Sequence, residues 1–227
     1  MFHVEHLSND LVQLFLDGAK SLGITLDTRA LRCFSIYLSE LKEWNQAFNL
    51  TSIKEDRDIV IKHFLDSLSA APFLRDTRTL LDIGAGAGFP GVPLKISLDH
   101  LAVVLAESSL KKVRFLQHII HLLELRDIFP IHRHIGWKKG NRKKDFLFDA
   151  VISRGTLSLR ELLMIGTYVL HPGGNVVWMY SSRKKVDAAL NSLPEDVMHI
   201  FDIQFIHSFS LPFANLKRTI TFFQMKS

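Results

Sequence analysis

From Thr79 onward the chain alternates short β-rich runs with helical segments, and this alternation restricts its fold more than any other feature. The runs expected to be strands are "TLLDI" from Thr79, "LAVVLAE" from Leu101, "IFPIHR" from Ile128, "FDAVIS" from Phe148, "GNVVWMY" from Gly174, "HIFDIQFIHSF" from His199 and "RTITFFQM" from Arg218. Most of the early connections carry a helical pattern, such as "SLKKVRFLQHIIHLLEL". Strands joined through crossover helices run parallel, so the pattern predicts an α/β, doubly wound, mostly parallel sheet. The last two runs are joined by a short stretch containing Pro212 and no helical pattern, which predicts an antiparallel C-terminal pair at the sheet edge.

Upstream the period is helical. Leu7, Leu11, Leu14, Phe15, Ala19 and Leu22 recur at three and four residues, with Ser8 or Asn9 as a cap and Gly23 as a stop. A second helix begins at Asp27 or Thr28 and aligns Leu31, Phe34, Leu38, Leu41 and Phe48. A third, within "DRDIVIKHFLDSLSAAPFL", ends at Pro72. Each has one apolar face and must lean on something larger. The expected organisation is an N-terminal helical region, residues 1–77, followed by the α/β domain, residues 78–227.

Composition narrows the setting. A content of 47% hydrophobic residues in 227 is enough for a core. A net charge of +5 and a pI near 9.3 suit a polyanionic partner. Cys33 is the single cysteine and sits in an apolar run, so no internal disulfide can form and a reducing, cytoplasmic setting is expected. No apolar run reaches the roughly 18 residues of a membrane span, and the first residues lack a leader pattern.

The turn after the first strand places Gly84, Gly86, Gly88 and Gly91 close together. In open α/β sheets ligands sit beyond the carboxyl ends of strands, where glycine permits positive φ and close approach. Glu107, ending the second strand, can accept hydrogen bonds from ribose hydroxyls. Two ligands fit this pair. Gly86 to Gly91 matches a dinucleotide pattern, but its first glycine lies too far beyond the strand. The register Asp82-Ile83-Gly84-Ala85-Gly86-Ala87-Gly88 instead resembles the first motif of S-adenosylmethionine-dependent methyltransferases. The motif favours a methyl donor, with a nicotinamide-dependent oxidoreductase as the second reading.

"WNQAFNLTSI", "HFLDSL", "LLDIGAGAGFPGVPLKI", "SLKKVRFL" and "VISRG" occur in the order and approximate spacing of the RsmG (GidB) family, bacterial methyltransferases acting on guanine N7 of 16S ribosomal RNA. The chain resembles that family from about Leu41 to Met225. The resemblance implies a Rossmann-like class I fold, S-adenosyl-L-methionine as cosubstrate, and 16S ribosomal RNA or a small-subunit precursor as partner; a monomer is expected. It implies donor contacts at Gly84 and Phe89, with Ile135 and Gly136 bordering the adenine and Arg154 closing the site; Asp82, Gly86, Gly88 and Glu107 join them as expected donor contacts from the turn and the strand end themselves. Glu107 stands where the family usually has aspartate, Gly136 where glutamate is expected, Gly155 where a small alanine follows the arginine, and Tyr180 where lysine is usual. These departures keep a catalytically impaired RNA-binding homologue as a further alternative.

Methylation of N7 needs no general base, because that nitrogen carries no proton, so the task is alignment. Arg154 is the candidate catalytic residue, gripping either guanine O6 or the donor carboxylate. Its bland alternative is a sheet-end arginine paired with a carboxylate such as Glu161. RNA binding is expected at Lys111, Lys112, Lys138, Lys139, Arg142, Lys143 and Lys144, which surround Trp137 or adjoin the strand ends. The pairs His132 with His134 and His118 with His121 lack further ligands at metal spacing, so no metal is expected. His63 reads as a packing residue on an apolar helix face.

Overall fold

The computed structural model describes residues 7–136 and 147–226. Ser8 caps α1 (Asn9–Ser21) and Asp27 caps α2 (Thr28–Phe48), each accepting a hydrogen bond from a backbone N–H of the first turn. Helix α2 ends with Asn49 in the left-handed region, φ 49°. The third apolar stretch is not the single helix its spacing predicts. It runs as α3 (Asp56–Ile59), a π-helical stretch (Val60–Leu65) and α4 (Asp66–Leu68), followed by a 3-10 turn (Ala71–Phe73). Such π stretches are frequent at functional sites. This one carries His63.

Seven strands follow among the described residues: β1 (Thr79–Ile83), β2 (Ala102–Glu107), β3 (Ile128–His132), β4 (Phe148–Arg154), β5 (Leu170–Tyr180), β6 (Phe201–Ser210) and β7 (Lys217–Met225). Between them lie α5 (Gly91–Ser97), α6 (Leu110–Leu122), α7 (Leu159–Val169), α8 (Arg183–Asn191) and α9 (Glu195–Met198). The order across the sheet is β3-β2-β1-β4-β5-β7-β6. Strands β1 to β5 pair in parallel, whereas β7 is antiparallel to both β5 and β6. The expected antiparallel pair is therefore present, but only β6 is at the edge; β7 is inserted beside β5. Strand β5 also begins earlier than "GNVVWMY" suggests, because Leu170 pairs with Phe148 across an irregularity ahead of Ala150 and Asn175. Pro130 lies in the other edge strand, β3, where a missing N–H is tolerated.

Alternation along the strands divides the core. Leu80, Ala150, Ile152, Val177 and Met179 join the cluster on one face, with the N-terminal helices, α5 and α6. Leu81, Ile83, Val151, Val176 and Trp178 join the other, against α7. The helical region thus shares the core of one sheet face. Its deepest anchor is Tyr37, fully buried among Phe64, Phe89 and Phe115, whose hydroxyl donates to the Ala87 carbonyl at 2.5 Å. That bond joins α2 to the turn after β1. Tyr37→Phe strands a buried carbonyl and is expected to lower the unfolding free energy by about 1–3 kcal/mol in urea titrations; an unchanged midpoint and slope would show the bond to be dispensable.

Candidate active site

A cavity of about 390 Å³ opens at the carboxyl ends of β1, β2 and β4, where an α/β sheet presents its ligands. Gly84, Gly86 and Phe89 from the turn, Glu107 from β2, and Arg154 from β4 all line it. A groove of about 620 Å³ between the N-terminal helices is larger. Its polar residues include Lys42 and Asp56, which are already paired with each other at 2.7 Å.

The glycines of the turn have different causes. A Cβ on Gly88 would meet the Tyr37 hydroxyl and Val92, and one on Gly91 would meet Leu105 and Asp82, so packing inside the protein excludes side chains there. Gly86 differs. Its φ is +60°, and a Cβ would have the Gly84 carbonyl oxygen, at 3.9 Å, as its nearest neighbour. The space beside Gly86 is the cavity itself. Asp82 and Gly88 lie behind this wall and shape it without lining it. Asp82 is fully buried and accepts from the Gly91 N–H at 2.8 Å; burial pushes its pKa up to about 7 against that hydrogen bond.

Glu107 holds the turn from the β2 side. One carboxylate oxygen accepts from the Gly86 N–H and the other from the Ser109 N–H, each at 2.8 Å. A carboxylate has about four acceptor positions, so capacity remains for hydroxyls of a ligand. This acid, the open face of Gly86 and the apolar side chain of Ile135 suit an adenosine-bearing molecule.

Arg154 faces the cavity from the end of β4 but is not paired with Glu161. That acid forms a capping box with Ser158 at the start of α7, and those hydrogen bonds lower its pKa. The guanidinium instead donates to the Lys62 carbonyl at 3.1 Å and to Asp66 at 3.2 Å. It also reaches His63 Nδ1 at 3.1 Å and lies over Phe89, 5.3 Å from the ring centroid. Asp66 accepts a second ion pair from Arg218 at 2.9 Å. His63 stacks on Phe89 with centroids 4.3 Å apart and rings 7° from parallel, and its Nε2 is 2.8 Å from the Thr51 hydroxyl. Burial, and then the Arg154 charge, push the His63 pKa down to about 3. His63 therefore packs, as its sequence pattern suggests, and also belongs to a polar chain that the pattern does not reveal.

Of the remaining expected contacts, Ile135 and Lys112 line the cavity. Gly136 lies off the lining, its carbonyl accepting from the Tyr168 hydroxyl at 3.0 Å. Lys111 is exposed and donates to the Phe48 carbonyl at 2.7 Å. Lys138, Lys139, Arg142, Lys143 and Lys144 fall outside the described residues. Leu50, Thr51, Arg133, His134 and Thr156 complete much of the wall without having been singled out as donor contacts. Among the described residues no three histidine, cysteine, aspartate or glutamate side chains form a metal-type cluster, and no helix is long and apolar enough to cross a membrane.

The sheet order, the turn and the acid after β2 define a Rossmann-like methyltransferase fold. TYW2 of P. horikoshii, solved in complex with MeSAdo, superposes with a TM-score of 0.54 at 12% identity over 73% of this chain and 63% of that one. TrmN of Thermus thermophilus gives 0.52 at 13% identity over 73% and 53%. Within this class the sequence is specific. The model of the family described as rRNA small subunit methyltransferase G (GidB) matches residues 30–211. The protein named ribosomal RNA small subunit methyltransferase G in Acetivibrio thermocellus is 34% identical over 92% of this chain and 86% of its own length. Its namesake in Bacillus cereus is 33% identical over 95% and 90%. The chain belongs to the rRNA small subunit methyltransferase G family.

The two perturbed groups of the site give stability opposite dependences on pH. Folding keeps His63 neutral, so its contribution is present above its ordinary pKa of 6.5 and is lost as pH falls toward 3. Asp82 has a raised pKa; its contribution is full below 3.8 and is lost as pH rises through about 7. Replacing His63→Asn removes the first slope. The stability advantage of the native chain over this variant should shrink by at most about 1.4 kcal/mol per pH unit between about pH 6.5 and pH 5, measured by urea unfolding. A pH-independent difference would mean that His63 titrates alike in both states.

Proposed function

We propose that the protein transfers a methyl group from S-adenosyl-L-methionine to N7 of a guanine in 16S ribosomal RNA, acting as a cytoplasmic monomer on the small subunit or its precursor. The observation that carries this reading is one cavity in which the open backbone at Gly86 and the Glu107 carboxylate meet an immobilised Arg154, in a chain of this family. We assign Gly84, Gly86 and Phe89 to the donor, Glu107 to its ribose hydroxyls and Ile135 to its adenine. When bound, S-adenosyl-L-methionine supplies an electrophilic methyl group on a positively charged sulfur.

The residues of this chain have the tasks of alignment and exclusion of water. No side chain has to remove a proton from N7, and His63, with Nδ1 turned to Arg154 and a pKa near 3, is not placed as a base. Arg154 is fixed by four neighbours and offers a rigid cation edge to orient the target base. The helical region, residues 1–77, would then act less as a separate module than as the wall that holds Arg154. Phosphate contacts are assigned to Lys111, Lys112 and the basic run from Lys138 to Lys144.

Mapping N7-methylguanosine in 16S ribosomal RNA from cells with and without the gene tests the assignment; identical maps would remove it. In the purified protein, Gly86→Ala is expected to weaken S-adenosylhomocysteine binding at least about tenfold by calorimetry, while costing only about 1–2 kcal/mol of stability for the left-handed backbone. Full affinity in this variant would move the donor away from the turn. Arg154→Ala should bind RNA with an unchanged salt slope yet lose methylation rate. Glutamate at Lys138, Lys139, Lys143 and Lys144 should flatten the salt slope and spare donor affinity. If the fourfold variant methylates normally at physiological salt, the basic run makes no contact with RNA.

A further inference from the structure

Thr51 stands on the cavity wall beside Leu50, His63 and Arg154. Local structure fixes it there. Helix α2 stops at Phe48, Asn49 turns the chain through a left-handed cap, and the Thr51 N–H donates to the buried Asn45 side chain at 2.8 Å. A threonine hydroxyl can ordinarily both donate and accept. This one is constrained.

The constraint comes from its neighbours. The Ile53 N–H donates to Thr51 Oγ1 at 3.2 Å, occupying one lone pair. The other faces His63 Nε2 at 2.8 Å. Arginine has no acceptor, so the 3.1 Å contact between Arg154 Nη2 and His63 Nδ1 makes Nδ1 the acceptor and leaves the ring proton on Nε2. His63 therefore donates to Thr51. With both lone pairs engaged, the hydroxyl proton is what Thr51 has left to offer to the cavity.

We propose that Thr51 is a specificity-determining residue whose hydroxyl donates to the O6 carbonyl of the target guanine. The inference rests on the guanine-N7 reading above. Guanine presents two acceptors on this edge, N7 and O6, whereas adenine presents N7 and an amino group. N7 must stay bare to attack the methyl group, so O6 is the handle next to it. A hydroxyl confined to donating fits O6 and opposes the adenine amino group, because two donors facing each other in a partly desolvated site leave both unpaired. The relay from Arg154 through His63 thus sets which base the threonine accepts.

The test uses the full chain with small subunits lacking the modification, carrying either guanine or 2-aminopurine at the mapped position. 2-Aminopurine keeps N7 and lacks O6. The wild-type protein should methylate the 2-aminopurine subunits at least about tenfold more slowly, by kcat/KM. Thr51→Val should lose about the same factor on guanine and show little further loss on 2-aminopurine, while Thr51→Ser restores most of the rate. S-adenosylhomocysteine affinity should stay within about twofold, since on this reading the Thr51 hydroxyl serves the base and not the donor. Equal rates for wild type and Thr51→Val on guanine, losses that multiply independently, or a fall in S-adenosylhomocysteine affinity would each overturn the inference. Should Thr51→Val not fold, the wild-type comparison of the two bases decides: equal rates overturn the proposal. No N7-methylguanosine from the wild-type protein would overturn the underlying reading, and the inference with it.

Discussion

The geometry of the site depends on the carboxylate of Asp66. It is 7% exposed and receives Arg154 on one oxygen and Arg218 on the other, so α4, β4 and β7 meet at one acid. A buried charge of this kind is tolerated only when paired, and removal of a partner is costly. Its importance for chemistry is indirect. Asp66, the Lys62 carbonyl, His63 and the face of Phe89 hold the Arg154 guanidinium in place before any substrate arrives. Under the function proposed above, a cation fixed in advance would align a base without further ordering, which is where an alignment-driven reaction gains its rate.

The turn after β1 shows how a glycine motif divides its labour. Gly88 and Gly91 make room for Tyr37, Val92, Leu105 and Asp82, while Gly86 alone of the three faces the cavity. The shape of this cavity is thus inseparable from the N-terminal helices, since Tyr37 of α2 packs beneath the turn and bonds its Ala87 carbonyl. The segment after α2 supplies Thr51 to the same wall, and the π-helical stretch supplies His63. The sheet and the N-terminal helices are joined through one hydrophobic core.

Local physics made most of the architecture legible. Short β-rich runs located the strands of the described residues, and the crossover argument fixed the parallel core. The insertion of β7 beside β5 was not visible, because strand order depends on pairing across the sheet and leaves no mark in spacing. Glu107 and the glycine turn could be read since their distances along the chain are short and stereotyped. The partner of Arg154 could not. Glu161 is near in sequence, whereas Asp66 lies 88 residues away and is brought in by packing of α4. The π-helical stretch likewise has no local signature, so His63 looked like one more apolar-face residue. The clues in hand were "NLTS" and the spacing of His63 and Asp66 in "HFLDSL", which mark residues without naming what they touch.

The ion pair between Asp66 and Arg218 spans 152 residues of chain. On a ribosome adding about 5–20 residues per second, Asp66 emerges roughly 8–30 s before its second arginine exists. Within that interval the turn after β1 and then Arg154 are added, so Arg154 is available to Asp66 before Arg218 can join them. The Asp66 cluster can thus be completed only near the end of synthesis, and the machine that builds it is the one whose RNA its family modifies.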